Sequence, residues 1–129
     1  MGKSWLFSLA FFGWIILITI LSLVRFPDDP VVGLEIPHLD KIVHFTFYFI
    51  AAILASFYQR EVFVKRITFN KILLISLLFA WVYGIIIEVL QSTITTARSG
   101  DMNDVWANCL GGLIGVLLLK LWFSAKPVH

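Results

Sequence analysis

Four long apolar segments follow one another along this sequence, and short segments between them contain most of the charged residues. A helix needs about 20 mainly apolar residues to cross the hydrocarbon core of a bilayer. The pattern therefore predicts four spanning helices, at residues 5–24, 42–58, 72–91 and 105–123. None of the connecting segments is long enough for a separate soluble domain. We expect an all-α, polytopic membrane protein whose residues 1–129 form a single transmembrane domain, a four-helix bundle.

The composition agrees with a bilayer environment. Hydrophobic residues make up 60% of the chain and charged residues 14%, which is more apolar than a soluble domain of this size requires. The lipid bilayer is therefore an expected partner. Nucleic-acid binding is excluded, because the formal net charge is only +2 and the basic residues are scattered around the ends of the predicted helices. Cys109 is the only cysteine, so the chain can form no intrachain disulfide, and the sequence identifies no cofactor.

The distribution of lysine and arginine predicts how the helices are oriented, because cytoplasmic loops of membrane proteins carry an excess of these residues. With the amino terminus in the cytoplasm, seven basic residues fall on the inner side: Lys3, Arg60, Lys65, Arg66, Lys71, Lys120 and Lys126. Three fall on the outer side: Arg25, Lys41 and Arg98. We therefore expect both termini to lie in the cytoplasm.

Polar residues at helical spacing mark the outer ends of three predicted helices, since side chains three, four or seven residues apart share a helix face. They form a set of ten candidate ligand-binding residues: Asp40, Lys41, His44, Tyr48, Glu88, Gln91, Arg98, Asp101, Asp104 and Asn108. An ionisable side chain at this depth is costly if it faces lipid, so it normally faces the bundle interior and pairs. Glu88 is the strongest case, and we expect its partner to be His44, Lys41 or Arg98.

These polar residues also have plain structural interpretations. Asp40, Asp101 and Asn103 can each cap the start of a helix. His44 taken alone is more often an interfacial histidine than a ligand, and the deeper polar residues can be interhelical hydrogen-bonding groups. The convergence of three polar stripes at one depth nevertheless favours a shared site, because caps alone do not require Glu88.

Glycines make one face of the fourth predicted helix nearly bare. Gly111 and Gly115 have the small-xxx-small spacing that lets a neighbouring helix approach closely. With Gly112 beside them, we expect this face to leave room for a neighbouring helix or for an acyl chain.

The motifs resemble those of the VanZ-like family of small membrane proteins. The matching stretches are DKIVHFTFY, then YGIIIEVLQ, then Arg98 followed by GDMNDVWANCLGGLIG, and they cover about residues 40–115. The family pattern is Asp-Lys-x-x-His-Phe-x-x-Tyr, Glu-x-x-Gln and Arg-x-x-Asp-x-x-Asp-x-x-x-Asn-x-x-Gly. The resemblance implies a multi-pass protein of the bacterial cytoplasmic (inner) membrane. It also implies a link to glycopeptide resistance, because the family is named after a protein associated with low-level resistance to teicoplanin. It does not imply a particular chemical reaction.

Binding is the first of two functions that the site would suit. A non-catalytic envelope protein would bind a lipid-linked cell-wall precursor or a glycopeptide. Lys41 and Arg98 would hold its phosphate or carboxylate, while Glu88, Gln91 and Asn108 orient it and the glycines admit its acyl tail. We favour this function, because the sequence contains no nucleophile elbow, no HExxH and no paired-histidine metal motif.

Catalysis is the alternative, so whether the chain is an enzyme stays open. A membrane enzyme would act on a lipid-linked phosphate or glycan at the outer leaflet. His44 or Glu88 would be its general acid or base, and Asp101 with Asp104 would hold a divalent cation. Transport, a third option, would require a homo-oligomer, because the polar stripes are confined to the outer half of the predicted bundle.

Overall fold

The structure, a computed structural model, describes four stretches of the chain: residues 4–23, 39–63, 66–94 and 102–125. Four helices occupy these stretches: α1 (Ser4–Leu23), α2 (Leu39–Val62), α3 (Phe69–Ile94) and α4 (Met102–Ala125). Each helix is long and apolar enough to cross a bilayer. The predicted all-α, four-helix architecture is therefore confirmed.

α2 and α3 extend past the predicted spans at both ends. The second span was predicted to end at Tyr58, whereas α2 continues through Arg60 to Val62. Hydropathy falls where charges begin, but a helix satisfies its own backbone hydrogen bonds whether its side chains are apolar or charged. α3 begins directly after Thr68, whose Oγ1 accepts a hydrogen bond from the backbone N–H of Lys71 at 3.2 Å. Thr68 therefore caps this helix.

α2 and α3 each pack against the other three helices, whereas α1, within the described residues, packs against α2 and α3 but not α4. At one end of the bundle, Phe57 and Phe69 both contact the ring of Phe123 edge to face. The guanidinium of Arg60 lies 4.4 Å from the centroid of the same ring. We call this the aromatic end. It joins the end of α2, the start of α3 and the end of α4, so these three helices run antiparallel in succession.

Gly111 and Gly115 bring α4 very close to α2. A Cβ atom at Gly111 would overlap the backbone carbonyl oxygen of Phe45, and a Cβ at Gly115 would lie 2.8 Å from the carbonyl oxygen of Phe49. Gly112 points away from this seam and faces α3. The glycines therefore serve helix packing. The expectation that they leave room for an acyl chain is wrong, because α2 and α3 fill the space.

Two tryptophans join neighbouring helices through hydrogen bonds to backbone carbonyl groups. The indole N–H of Trp14 in α1 donates to the carbonyl of Phe47 in α2 at 2.9 Å. The indole N–H of Trp81 in α3 donates to the carbonyl of Cys109 in α4, also at 2.9 Å. Large apolar side chains cover the outside of the bundle, among them Leu9, Ile16, Val82, Leu118 and Leu121. Such a surface is suited to contact with lipid chains.

Candidate functional site

A group of polar side chains, all buried except that of Lys41, lies at the opposite end from the aromatic end, where α2 and α4 begin and α3 finishes. We call this group the polar cluster: Lys41, His44, Glu88, Asp104 and Asn108. Relative exposure is 8% for His44, 5% for Glu88, 8% for Asp104 and 1% for Asn108. A residue five or six positions from a helix end lies about 8–9 Å along the axis from that end. His44 and Glu88 therefore lie within two turns of the ends of α2 and α3.

Asp104 connects α4 to α2 through two contacts between ionisable groups. Its Oδ1 atom lies 2.7 Å from Nζ of Lys41, and its Oδ2 atom lies 3.6 Å from Nε2 of His44. Asp104 is in the first turn of α4, where the helix dipole favours a negative charge. The helix start and Lys41 thus hold the carboxylate with one oxygen turned towards the His44 ring.

Asn108 fixes the orientation of that ring. Nδ1 of His44 and Oδ1 of Asn108 are 3.0 Å apart. Because an amide oxygen can only accept a hydrogen bond, Nδ1 of His44 is the donor. The other ring nitrogen, Nε2, faces Asp104. There it can donate a proton to the carboxylate, or it can use its lone pair to take up a proton or bind a metal ion.

Glu88 adds a second carboxylate from α3. A carboxylate oxygen of Glu88, a carboxylate oxygen of Asp104 and a ring nitrogen of His44 all lie within 4.8 Å of one another. Three different helices therefore each contribute one group that can transfer a proton or bind a cation.

Tyr48 lies one turn deeper in α2 than His44 and is 1% exposed. Its ring packs against Gly84, where an added Cβ atom would lie 3.3 Å from the ring. Within the described residues, neither the Tyr48 hydroxyl nor Nδ2 of Asn108 has a hydrogen-bond partner. A buried polar group without a partner costs about 1–3 kcal/mol. Both groups are thus available to hydrogen-bond a ligand.

Gln91, one turn along α3 from Glu88, makes a different contact. Its Nε2 atom donates to the backbone carbonyl of Ser22 at 2.7 Å. Gln91 is buried and joins the end of α3 to the end of α1. The structure therefore gives Gln91 a role in helix packing at the cluster end of the bundle.

Three of the predicted site residues cannot be placed: Arg98 and Asp101 lie outside the described residues, and so does the side chain of Asp40. The predicted cation pair of Asp101 and Asp104 is therefore not described. Asp104 lies instead beside His44 and a glutamate. The shared depth of the three polar stripes places His44, Glu88 and Asp104 in one candidate ligand site already at the level of the sequence. The sequence suggests proton transfer for His44 and Glu88, however, and Asp101 as the second cation ligand beside Asp104.

Comparison with known proteins gives a family. The sequence model described as VanZ/LLP1 matches residues 2–123, which is almost the whole chain. No curated protein and no solved structure matches the chain. The family match and the four helices able to cross a bilayer together identify a multi-pass membrane protein. The chain belongs to the VanZ/LLP1 family, as its motifs on the second, third and fourth helices indicated.

Proposed function

We propose that this protein binds a lipid-linked or glycopeptide-type ligand through the polar cluster, at the outer face of the bacterial cytoplasmic membrane. The observation that carries the proposal is the burial of two carboxylates, a histidine and an asparagine at one end of a bundle whose other described buried polar side chains are uncharged. Ionisable groups inside a membrane protein cost several kcal/mol and usually mark a functional site. Neutral polar side chains are enough to join helices by hydrogen bonds, so helix packing does not require two buried carboxylates.

In the proposed orientation the polar cluster faces outwards and both termini lie in the cytoplasm, with residues 1–129 forming one transmembrane domain. The described basic residues support this orientation. Those near the aromatic end are Arg60, Arg66, Lys71 and Lys120, and only Lys41 among the described ones lies at the cluster end. An excess of lysine and arginine marks the cytoplasmic side.

Recognition would begin at Lys41, the most accessible member of the polar cluster. Its side chain is 23% exposed, against 12% for the side chain of Asp104. A phosphate or carboxylate that reaches the rim can pair with the Lys41 ammonium group. Nδ2 of Asn108 and the Tyr48 hydroxyl, which have no partner within the described residues, are donors for oxygen atoms that enter further. A lipid-linked cell-wall precursor would make these contacts. A glycopeptide would make them too, in agreement with the glycopeptide resistance after which the family is named.

An acyl tail would lie on the outside of the bundle, because the glycine faces of α4 are covered by α2 and α3. The ligand would then present only its polar head to the cluster. This arrangement places the tail against the exposed apolar side chains, where lipid chains lie in any case.

Binding is tested with the purified full-length protein in lipid nanodiscs, with undecaprenyl phosphate and teicoplanin as separate probes. We expect saturable binding of one probe, weakened about tenfold or more in Asn108→Ala and Lys41→Met, which corresponds to about 1.4 kcal/mol. Lys71→Met is the matched control, because Lys71 is exposed and lies at the aromatic end. The proposal fails if neither probe binds, or if Lys71→Met weakens binding as much as Lys41→Met does.

Catalysis on a lipid-linked phosphate or glycan is the second candidate function. The observation in its favour is the meeting of His44 with two carboxylates within 4.8 Å, since such groups can act as general acid and base. The test is incubation with undecaprenyl-linked substrates, with and without a divalent cation, followed by mass spectrometry of the lipids. Product formation that Glu88→Gln and His44→Ala abolish would support an enzyme. Saturable binding without product would contradict it.

The orientation is tested separately by labelling cysteines in intact cells. Asn103 and Asn70 form a matched pair, because both are exposed, and they lie near the starts of α4 and α3 at opposite ends of the bundle. In a Cys109→Ser background, an impermeant thiol reagent should label Asn103→Cys directly and Asn70→Cys only after permeabilisation. The reverse pattern would place the polar cluster at the cytoplasmic side.

A further inference from the structure

His44, Glu88 and Asp104 have the composition of a cation site. Each offers one ligand atom, the three atoms lie within 4.8 Å of one another, and the side chains come from three different helices. All three residues are at least nine-tenths buried. We propose that these three side chains bind one divalent transition-metal cation.

The distances are close to those that coordination requires. Two donor atoms that are each about 2.0–2.1 Å from a tetrahedral zinc ion lie about 3.4 Å apart. Nε2 of His44 and Oδ2 of Asp104 are 3.6 Å apart, so this pair needs almost no movement. The most distant pair lies within 4.8 Å and so needs to contract by up to about 1.4 Å to reach that separation. A change of side-chain torsion in Glu88 can supply that contraction without moving a helix.

The surroundings of His44 are those of a metal ligand. A histidine that binds a metal normally donates its other ring N–H to a carbonyl or carboxylate group, and this bond fixes the ring. Here Nδ1 donates to Oδ1 of Asn108 at 3.0 Å. Nε2 therefore faces the Asp104 carboxylate, with its lone pair available whenever the ring is neutral. The hydrogen bond to Asn108 is an observation independent of the acidic residues.

The ligand set favours one class of cation. Imidazole nitrogen suits zinc and the neighbouring first-row ions, whereas magnesium and calcium prefer sites made of oxygen atoms alone. One histidine and two carboxylates leave coordination positions for water or for a ligand oxygen, as in catalytic zinc sites. Tyr48 lies one turn deeper in α2 than His44, and its hydroxyl has no hydrogen-bond partner within the described residues.

Lys41 opposes the cation through its charge, because its Nζ lies 2.7 Å from Oδ1 of Asp104. It also orients that carboxylate so that Oδ2 faces His44. A cation bound to Oδ2 would weaken the ion pair between Asp104 and Lys41. The Lys41 ammonium group would then be more available to an anion that approaches the polar cluster from outside the bundle. The cation site itself rests on these three side chains and does not depend on the ligand-binding proposal.

The experiment uses the full chain purified in detergent with a tag that contains no histidine, after dialysis against a chelator. Binding of Zn²⁺, Mn²⁺, Mg²⁺ and Ca²⁺ is measured by equilibrium dialysis, with no lipid precursor or glycopeptide present. We expect one Zn²⁺ or Mn²⁺ per chain and much weaker binding of Mg²⁺ and Ca²⁺. A stoichiometry near zero for both transition metals would overturn the proposal. It would leave the ligand-binding proposal to its own assay.

Variants locate the cation. His44→Ala, Glu88→Gln and Asp104→Asn should each weaken binding by about 100-fold or more, and Asn108→Ala by about 10–100-fold, the usual effect of losing a group that orients a ligand. Glu61→Gln, the same exchange of carboxylate for amide near the other end of α2, should change nothing. Equal binding in wild type and in the first three variants would show that the metal sits elsewhere.

A second measurement decides the matter where a variant does not fold. Co²⁺ replaces Zn²⁺ in the wild-type protein, and its visible absorption is recorded during the titration. Intense bands of a four- or five-coordinate ion that saturate at one equivalent would support the site, because ligands fixed by the protein impose that geometry. The weak spectrum of an octahedral hydrated ion at every concentration would overturn it.

Discussion

The close contact between α2 and α4 predicts how strongly a Gly→Ala substitution, which adds one methyl group, changes the stability of the protein at different positions. At Gly111 an added Cβ atom would overlap the backbone carbonyl oxygen of Phe45, whereas at Gly13 in α1 the described residues, apart from its own stretch of helix, place no atom within 4 Å. A carbonyl oxygen of a helix cannot rotate away as a side chain can. Gly111→Ala therefore requires α2 and α4 to separate, and Gly13→Ala requires no movement.

The magnitude follows from two opposing effects. Replacing glycine by alanine inside a helix stabilises it by about 0.5–1 kcal/mol, and this is all that is expected at Gly13. Forcing extra volume into a packed interface costs about 1–3 kcal/mol, which is added at Gly111. Both variants share the helix contribution, so they should differ in stability by the interface cost alone, about 1–3 kcal/mol. Gly115→Ala should lie between them, because its Cβ would be 2.8 Å from the carbonyl oxygen of Phe49.

The measurement is unfolding of the purified variants by SDS in mixed micelles, followed by tryptophan fluorescence and circular dichroism. We expect Gly13→Ala to be at least as stable as wild type, and Gly111→Ala to be the least stable of the series. Equal stability of Gly111→Ala and Gly13→Ala would refute the reasoning, because α4 could then not approach α2 through its glycines.

Two further predictions concern hydrogen bonds between helices. Nε2 of Gln59 donates a hydrogen bond to Oγ of Ser76 at 2.7 Å inside the bundle. A double-mutant cycle of Gln59→Leu and Ser76→Ala, measured by SDS unfolding, should therefore give a coupling energy of about 0.6 kcal/mol and at most about 1.7 kcal/mol. A coupling energy of zero would contradict this hydrogen bond. Trp81→Phe keeps an aromatic ring but loses the hydrogen bond to the carbonyl of Cys109, so it should destabilise the folded protein by about 0.5–1 kcal/mol. Trp106→Phe is the control: Trp106 is 68% exposed, and its replacement should leave the unfolding midpoint unchanged.

The four helices could be predicted because the bilayer imposes a length on each apolar segment. The ends of the helices could not be predicted in the same way. Hydropathy falls at the first charged residues, whereas the backbone continues its helical hydrogen bonds beyond them. α2 therefore runs on past the predicted end at Tyr58 to Val62. The family, too, could be predicted, because its motifs keep their order and spacing on successive helices.

The rotation of each helix about its own axis was harder to predict. α4 is apolar on nearly all sides, so periodicity alone does not say which face meets α2. The small-xxx-small spacing indicated a close neighbour, but not that Gly111 faces α2 while Gly112 faces α3. Without that rotation, the partners of Asp104 could not be chosen, and the sequence paired it with Asp101 in place of His44.

The glycine seam and the polar cluster depend on the same contact between α2 and α4. His44 immediately precedes Phe45, whose carbonyl oxygen faces Gly111, and Asn108 lies one turn before Gly111 on α4. The side chains of His44 and Asn108 are short, so their 3.0 Å hydrogen bond requires the two backbones to be close. Only residues without a Cβ atom permit that approach at Gly111. The glycines therefore set the separation at which the buried histidine meets its partner on α4.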